Sequence, residues 1–408
     1  MNEKNSLRDL ASRVNEIARG DVMQKRRALW RRHNSFQGER PLIYVRAFAF
    51  DEWFDPSVLT CEDPMLRWYE RALHESLWRS RLGDDYIVEP WLEMAASYVL
   101  PNGERWGVPV SLGEKPVQGG AAAFKPILTE EDFSCLRAAP YAVNEEETAL
   151  RREKLEEALG GALPVFVSRQ GPYIMWGGDI STDLAKLRGR EQIMWDLYDN
   201  PEWLHSLLAF MRDAILENHA QAEAAGGFSL ADHQNQCMPY AQELDDPDPA
   251  VSGVPRKRLW RFLAAQEFTG FSPEMFWEFI LQYQQPILEA FGLTAYGCCE
   301  NLTGDIPYLR RIKNLRRIAV SPFADAQKCA ELIGRDYILS WRPNPSLMVA
   351  TGLDEDLVRR HMRRHFAIFR ENNNAFDITL KDVETVSHHP ENVGRWVEIV
   401  RQEIDRCF

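Results

Sequence analysis

Apolar residues recur at helical spacing through residues 3 to 33, where Leu7, Leu10, Val14, Ile17, Val22, Leu29 and Trp30 stand among many charges. This predicts an exposed helical arm over residues 1–38, ahead of the main body. From residue 39 onward, short apolar runs alternate with longer amphipathic ones. Strands are predicted at 41–48, 85–92, 163–171, 228–233, 293–296, 315–321, 336–341 and 375–381. Helices are predicted at 64–82, 144–159, 200–225, 272–290, from 354 onward, and at 390–406. Asn200-Pro-Glu and Ser272-Pro-Glu place a capping residue ahead of a first-turn proline, and Gly226-Gly227 closes the helix before the fourth strand. Residues 97–127, rich in Gly, Pro and Val, read as a hairpin insertion whose Gly119-Gly120 pair is too little for a phosphate loop, and 234–256 as a polar loop. Eight strands alternating with helices predict an α/β fold, an eight-stranded (β/α)8 barrel over 39–408.

Composition narrows the class. With 45% hydrophobic and 27% charged residues over 408 positions, the chain buries a substantial core. A net charge of −13 repels nucleic acid and anionic lipid. Seven scattered cysteines do not make a disulfide framework, the amino terminus is too polar for a signal peptide, and no long apolar run occurs. The expectation is a cytoplasmic protein, a monomer or homodimer, acting on a small molecule.

The chemistry concentrates where strands end, the place of the active site in such barrels. Leu293-Thr-Ala-Tyr-Gly-Cys-Cys-Glu-Asn301 is an apolar strand that stops at two thiols and a carboxylate. Soft and hard ligands together suggest a metal or a reactive thiol, whereas free cysteine also packs as a small hydrophobe. Around the same rim the pattern places Arg46, Glu89, Arg169, Asp232 with His233, Arg342 with Asn344, and Lys381 with Asp382. Each has a plainer reading. Arg46 would pair with Glu89, Lys381 would neutralise Asp382, and His233 would be a hydrogen-bonded structural imidazole. Tyr173, Trp176, Trp91 and Trp341 would stack on a flat ligand or simply pack.

The order of Arg40-Pro-Leu-Ile-Tyr, Gln170-Gly-Pro-Tyr, Asn200-Pro-Glu, the strand ending at Asp232, Ser272-Pro-Glu-Met-Phe, Gly297-Cys-Cys-Glu-Asn and Arg342-Pro-Asn-Pro resembles the uroporphyrinogen decarboxylase superfamily over roughly residues 40 to 405. The resemblance implies a barrel fold and one of two activities. In the cobalamin-linked methyltransferases, a His-x-Cys-Gly-Asn motif and a later Cys bind zinc, which activates the acceptor thiol. Here Gly297 stands at the His, Cys299 at the motif Cys, Glu300 at its Gly, and Asp382 near the late Cys, so two of the three ligands differ. The decarboxylases grip substrate carboxylates with an arginine-rich segment after the first strand. Arg46 lies in that region without the surrounding pattern.

The leading expectation is a methyltransferase working with a corrinoid on a partner protein. Cys298, Cys299, His233 and Asp382 would hold zinc; Glu300, Asp232 and Lys381 would serve catalysis; Arg46, Glu89, Arg169, Tyr173, Trp176, Arg342 and Asn344 would bind substrate. The alternatives are a metal-free carboxy-lyase acting on a polycarboxylate such as a porphyrinogen, and a barrel that binds a small molecule or a corrinoid protein without catalysis.

Overall fold

The protein is described from a computed structural model, which covers residues 3–46, 49–113, 124–129, 133–350 and 352–408. Its strands are β1 (Leu42–Arg46), β2 (Leu92–Ala95), β3 (Ser111–Leu112), β4 (Phe124–Lys125), β5 (Val165–Ser168), β6 (Trp260–Leu263), β7 (Leu293–Tyr296), β8 (Leu315–Val320), β9 (Ile338–Trp341) and β10 (Ala375–Lys381). Six of them form one parallel sheet in the order β1-β10-β9-β8-β7-β6, β2 pairs with β5 in a second parallel sheet, and β3 with β4 in a small antiparallel hairpin. Helices separate most of the parallel strands, the arrangement that right-handed crossovers impose.

β6, β7 and β9 are buried at every position. Strands covered on both faces are typical of parallel sheets packed under helices. The outer face is apolar, with Ile43, Val45, Ile378 and Leu380 packed in one cluster with Val393, Trp396 and Val397 of the last helix. The inner face is polar at β8 to β10, where Arg317, Ser340, Asp377, Thr379 and Lys381 are all buried, and apolar at β6 and β7, where Trp260, Phe262, Leu293 and Ala295 cluster. The sheet is curled into a half-barrel. β7 and β10 are separated by β8 and β9, so in a flat sheet their ends would stand about 14 Å apart at the usual strand spacing. Yet Lys381 at the end of β10 reaches Cys298, just past β7, at 2.7 Å.

Both edges of this sheet are covered without a ladder. Along β1, the Asp85 and Asp84 carboxylates accept the backbone N–H groups of Ile43 and Val45, each at 2.8 Å. Along β6, His233 Nδ1 accepts from Trp260 N at 3.1 Å, and Gln234 N donates to Trp260 O at 3.1 Å. The Asp84, Asp85 and His233 side chains, with the Gln234 backbone, thus satisfy edge groups that would otherwise be left unpaired.

Several expectations shift. The strand expected at 228–233 is absent apart from an isolated Ser229–Ser252 bridge, and the strand that joins the sheet is β6 at 260–263. The stretch 85–91 runs without ladder pairing and regular structure begins at Leu92, because aspartates take β1's amides. The first helical segment is two helices, Glu3–Arg19 and Asp21–Asn34, and is not an exposed arm. Leu7, Leu10, Val14, Met23 and Trp30 are buried, and His33 and Asn34 enter the polar interior. Residues 47 and 48 of the first expected strand, and most of the tip of the 97–127 insertion with Gly119-Gly120, fall outside the described residues.

Candidate functional site

The chain leaves β7 through Gly297, whose φ of +97° turns the next residues into the mouth of the half-barrel. Glu300 then fixes the turn: its carboxylate accepts Cys298 N at 2.7 Å and Ala265 N at 3.1 Å. That carboxyl is buried and raised above its ordinary pKa by burial first, then by Cys298. Expected to serve catalysis, Glu300 is found clamping the loop that presents the thiols.

The thiols meet the end of β10. Cys298 Sγ lies 2.7 Å from Lys381 Nζ and 3.4 Å from Cys299 Sγ. Cys299 Sγ lies 3.4 Å from the same nitrogen and 3.2 Å from Asp382 Oδ2, and Lys381 Nζ is 3.2 Å from that carboxylate. The pair shares its charge unequally. A hydrogen bond from Cys299, then the charges of Arg342 and Lys381 and the Gln236 amide, outweigh burial and lower the Cys298 pKa, whereas the Cys299 pKa is raised. The surroundings thus favour negative charge on Cys298 over Cys299. Arg342 braces the arrangement by donating to the Cys298 carbonyl and, at 2.6 Å, to Gln236 Oε1. Cys298 and Lys381 are buried, Cys299 is half-buried, and the Asp382 side chain is 42% exposed.

The three candidate metal ligands brought together here, Cys298, Cys299 and Asp382, surround the lysine nitrogen. A cation already stands where zinc would sit, so these residues as arranged do not fit the metal. Among the described residues, no group of three or more His, Cys, Asp or Glu is placed to hold one. His233 stays apart: Nδ1 accepts from Trp260 N and Nε2 donates to the Asp245 carbonyl at 3.1 Å. Burial lowers its pKa to about 4, which keeps it neutral in that edge-capping role.

Other expected residues have different work. Glu89 pairs with Arg27 at 2.9 Å and Tyr240 OH at 2.7 Å, not with Arg46. Arg46 closes β1 in register with Lys381. Arg169 forms a two-pronged pair with Glu145 at 2.6 and 2.8 Å. Tyr173 is fully buried, its hydroxyl accepting from Ala139 N and donating to Arg105 O, both at 2.8 Å. Asn344 caps the short helix Pro345–Met348. Trp341 stacks on His361 and His365. Trp176 packs edge-on against Phe262, in the apolar cluster that also takes in Cys298 and Cys299.

Asp232 is buried and accepts from Ser168 Oγ at 2.6 Å, Gln170 Nε2 at 3.1 Å and Ser229 N at 2.8 Å. Burial, against those hydrogen bonds, pushes its pKa up to about 7. A carboxyl that binds its proton more tightly when folded contributes fully below about pH 4 and loses that contribution as pH rises through 7. Asp232→Asn should therefore gain on the wild type by roughly 1–3 kcal/mol between pH 4 and 7.5. Urea unfolding at the two pH values measures it; a pH-independent gap refutes it.

Sequence reasoning missed Gln236, which sits in the supposed polar loop. Its signal was a Gln-Asn-Gln-Cys run too polar for a strand, and only the fold shows that Gln234, Gln236 and Cys237 are buried. It also missed the layer beneath, where Arg317, Asp377, Ser340, Asn34 and His33 interlock.

Compared with protein-family models and with curated protein sequences, the chain matches none. Among the described residues, no helix is long and apolar enough to cross a membrane.

Proposed function

We propose that the chain is a methyltransferase built on a complete eight-stranded barrel. It exchanges a methyl group between a small substrate and a corrinoid carried by a partner protein, with Cys298 as the thiolate of the site. One observation carries this reading: the 2.7 Å contact between Cys298 and Lys381, from opposite sides of the strand-end mouth. A buried ammonium does for the sulfur what zinc does in the superfamily the sequence resembles, holding it ionised at neutral pH. Sulfur in that state is a strong nucleophile toward a methyl group. The corrinoid supplies a carrier that gives or takes the methyl group. Cys299 and Asp382 form the open side of the cluster, where such a carrier approaches. Phe262, with Trp176 edge-on against it, lies in the same apolar cluster as Cys298. Gln236 and Arg342 hold the loop and the sulfur at fixed positions.

Lys381→Met separates this reading from a zinc-centred one. The Cys298 thiol should titrate higher in the variant, followed by its alkylation rate against pH. Turnover with a methylated corrinoid should fall at least about 100-fold at pH 7. If Lys381→Met gains stoichiometric zinc and keeps activity, the lysine is not the activating group and the metal reading takes its place.

The carboxy-lyase remains a second reading because Asp232, protonated up to about pH 7, is a suitably buried proton donor. Full activity in Cys298→Ser would favour it.

A further inference from the structure

Cys298 and Cys299 are sequence neighbours whose sulfurs already stand 3.4 Å apart. Neighbouring side chains on extended backbone point to opposite faces, so this convergence is a property of the loop after β7. Gly297 starts it and Glu300 pins it through Cys298 N. The pair has both a proton acceptor and a counter-charge at hand: Asp382 Oδ2 is 3.2 Å from Cys299, and Lys381 Nζ is 2.7 Å from Cys298. Of the other cysteines, Cys135 is exposed, Cys407 is half-buried, and Cys61, Cys237 and Cys329 are buried.

We propose that Cys298 and Cys299 are a reversible modification site, oxidised by hydroperoxides to a disulfide between adjacent residues. In the first step the Cys298 sulfur attacks the peroxide. A sulfur–oxygen bond forms, the oxygen–oxygen bond breaks, and the alkoxide or hydroxide leaves and is protonated by water. Cys299 then attacks the resulting sulfenic acid. The sulfur–sulfur bond forms, the sulfur–oxygen bond breaks, and hydroxide leaves as water with the Cys299 proton, relayed by Asp382. Two thiols lose two electrons and two protons, and one peroxide is reduced. The half-buried Cys299 gives the oxidant its route in. Adjacent Cα atoms, about 3.8 Å apart, are closer than in ordinary disulfides, so the bond is strained and readily reduced again. Oxidation also removes the partner of Lys381, leaving the ammonium to Asp382 alone. This chemistry does not depend on which reaction the site performs, and it stands if the methyltransferase reading fails.

The test treats the full-length native chain with hydrogen peroxide, alkylates it with iodoacetamide in denaturant, and reads peptides by mass spectrometry. The peptide carrying both cysteines should lose two hydrogens and both labels, roughly tenfold faster than Cys135 is oxidised, and recover both labels after dithiothreitol. Cys299→Ser should stop at a sulfenic acid that dimedone traps. Should that variant not fold, phenylarsine oxide, which bridges two close thiols with loss of water, should be retained on this peptide at one per wild-type chain. Retention of both labels while Cys135 oxidises, irreversible oxygen addition without the disulfide, or no arsenical on the folded chain would each overturn the proposal.

Discussion

Asp377→Asn should destabilise the protein by about 3–5 kcal/mol, the cost of leaving a buried charge without its partner. Asp377 is fully buried and receives Arg317 Nη2 at 2.5 Å, Ser340 Oγ at 2.9 Å and His33 at 3.2 Å. Burial alone would raise its pKa, but the Arg317 guanidinium and His33 reverse that and hold it below the ordinary carboxylate range. The substitution keeps the shape and removes the charge, so the fully buried Arg317 faces no acid. Urea denaturation at pH 7 reads the loss. The pH dependence has a definite sign. A carboxyl with a depressed folded-state pKa contributes above its unfolded value of about 4, and the contribution drains away as pH falls toward the folded value. The gap between wild type and Asp377→Asn should therefore close on acidification. Pairing the substitution with Arg317→Met should cost less than the two singles together, since the double variant buries no orphan charge. A strictly additive double variant would mean the pair is not coupled.

Gly297→Ala should cost roughly 2–5 kcal/mol and disable the thiol pair. Two effects add. A side chain at φ +97° is strained, and its Cβ would stand 2.5 Å from Leu302 Cδ1 and 3.0 Å from Ala319 Cβ on the neighbouring strand. Gly253 supplies the comparison, having φ +70° and nothing within 4 Å of an added Cβ. Gly253→Ala should cost only the backbone strain, about 1 kcal/mol. If both variants unfold at the same urea concentration, crowding at Gly297 is not what shapes the turn. The same geometry bears on the resemblance. Any side chain longer than alanine at 297 would collide with Leu302 and Ala319, a histidine at that position of the resembled motif included.

The helices at 201–224 and from 273 onward were legible because their signals are local, Pro201 and Pro273 at first turns and Gly226 after a last one, whereas Ser181–Arg188, Arg190–Asp199 and Ala326–Ile333 were not expected. The late strands β7 to β10 were legible as apolar runs of the right length. β6 was not, because Arg261 interrupts it, and a fully buried guanidinium held by Gln234 and the Tyr173 carbonyl cannot be anticipated from its neighbours. The same limit governs the site. That Lys381 meets Cys298 depends on curvature across two intervening strands, and that Glu89 meets Arg27 depends on how the first helices dock. Residue type and strand-end position nominated Glu89, Arg169, Tyr173 and Asn344 as readily as Lys381. Only distance separates structural ion pairs and caps from the cluster around the sulfurs.

His33 bonds to Asp377 across 344 positions of sequence, and Asn34 holds Arg317 across 283. During synthesis the apolar sides of the opening helices meet Tyr69, Leu73 and Leu77 early, whereas His33 and Asn34 must wait for Asp377 and Arg317 until most of the chain has left the ribosome. Deleting the last strand should therefore orphan His33 and the Arg317 guanidinium while leaving the apolar docking of the opening helices in place.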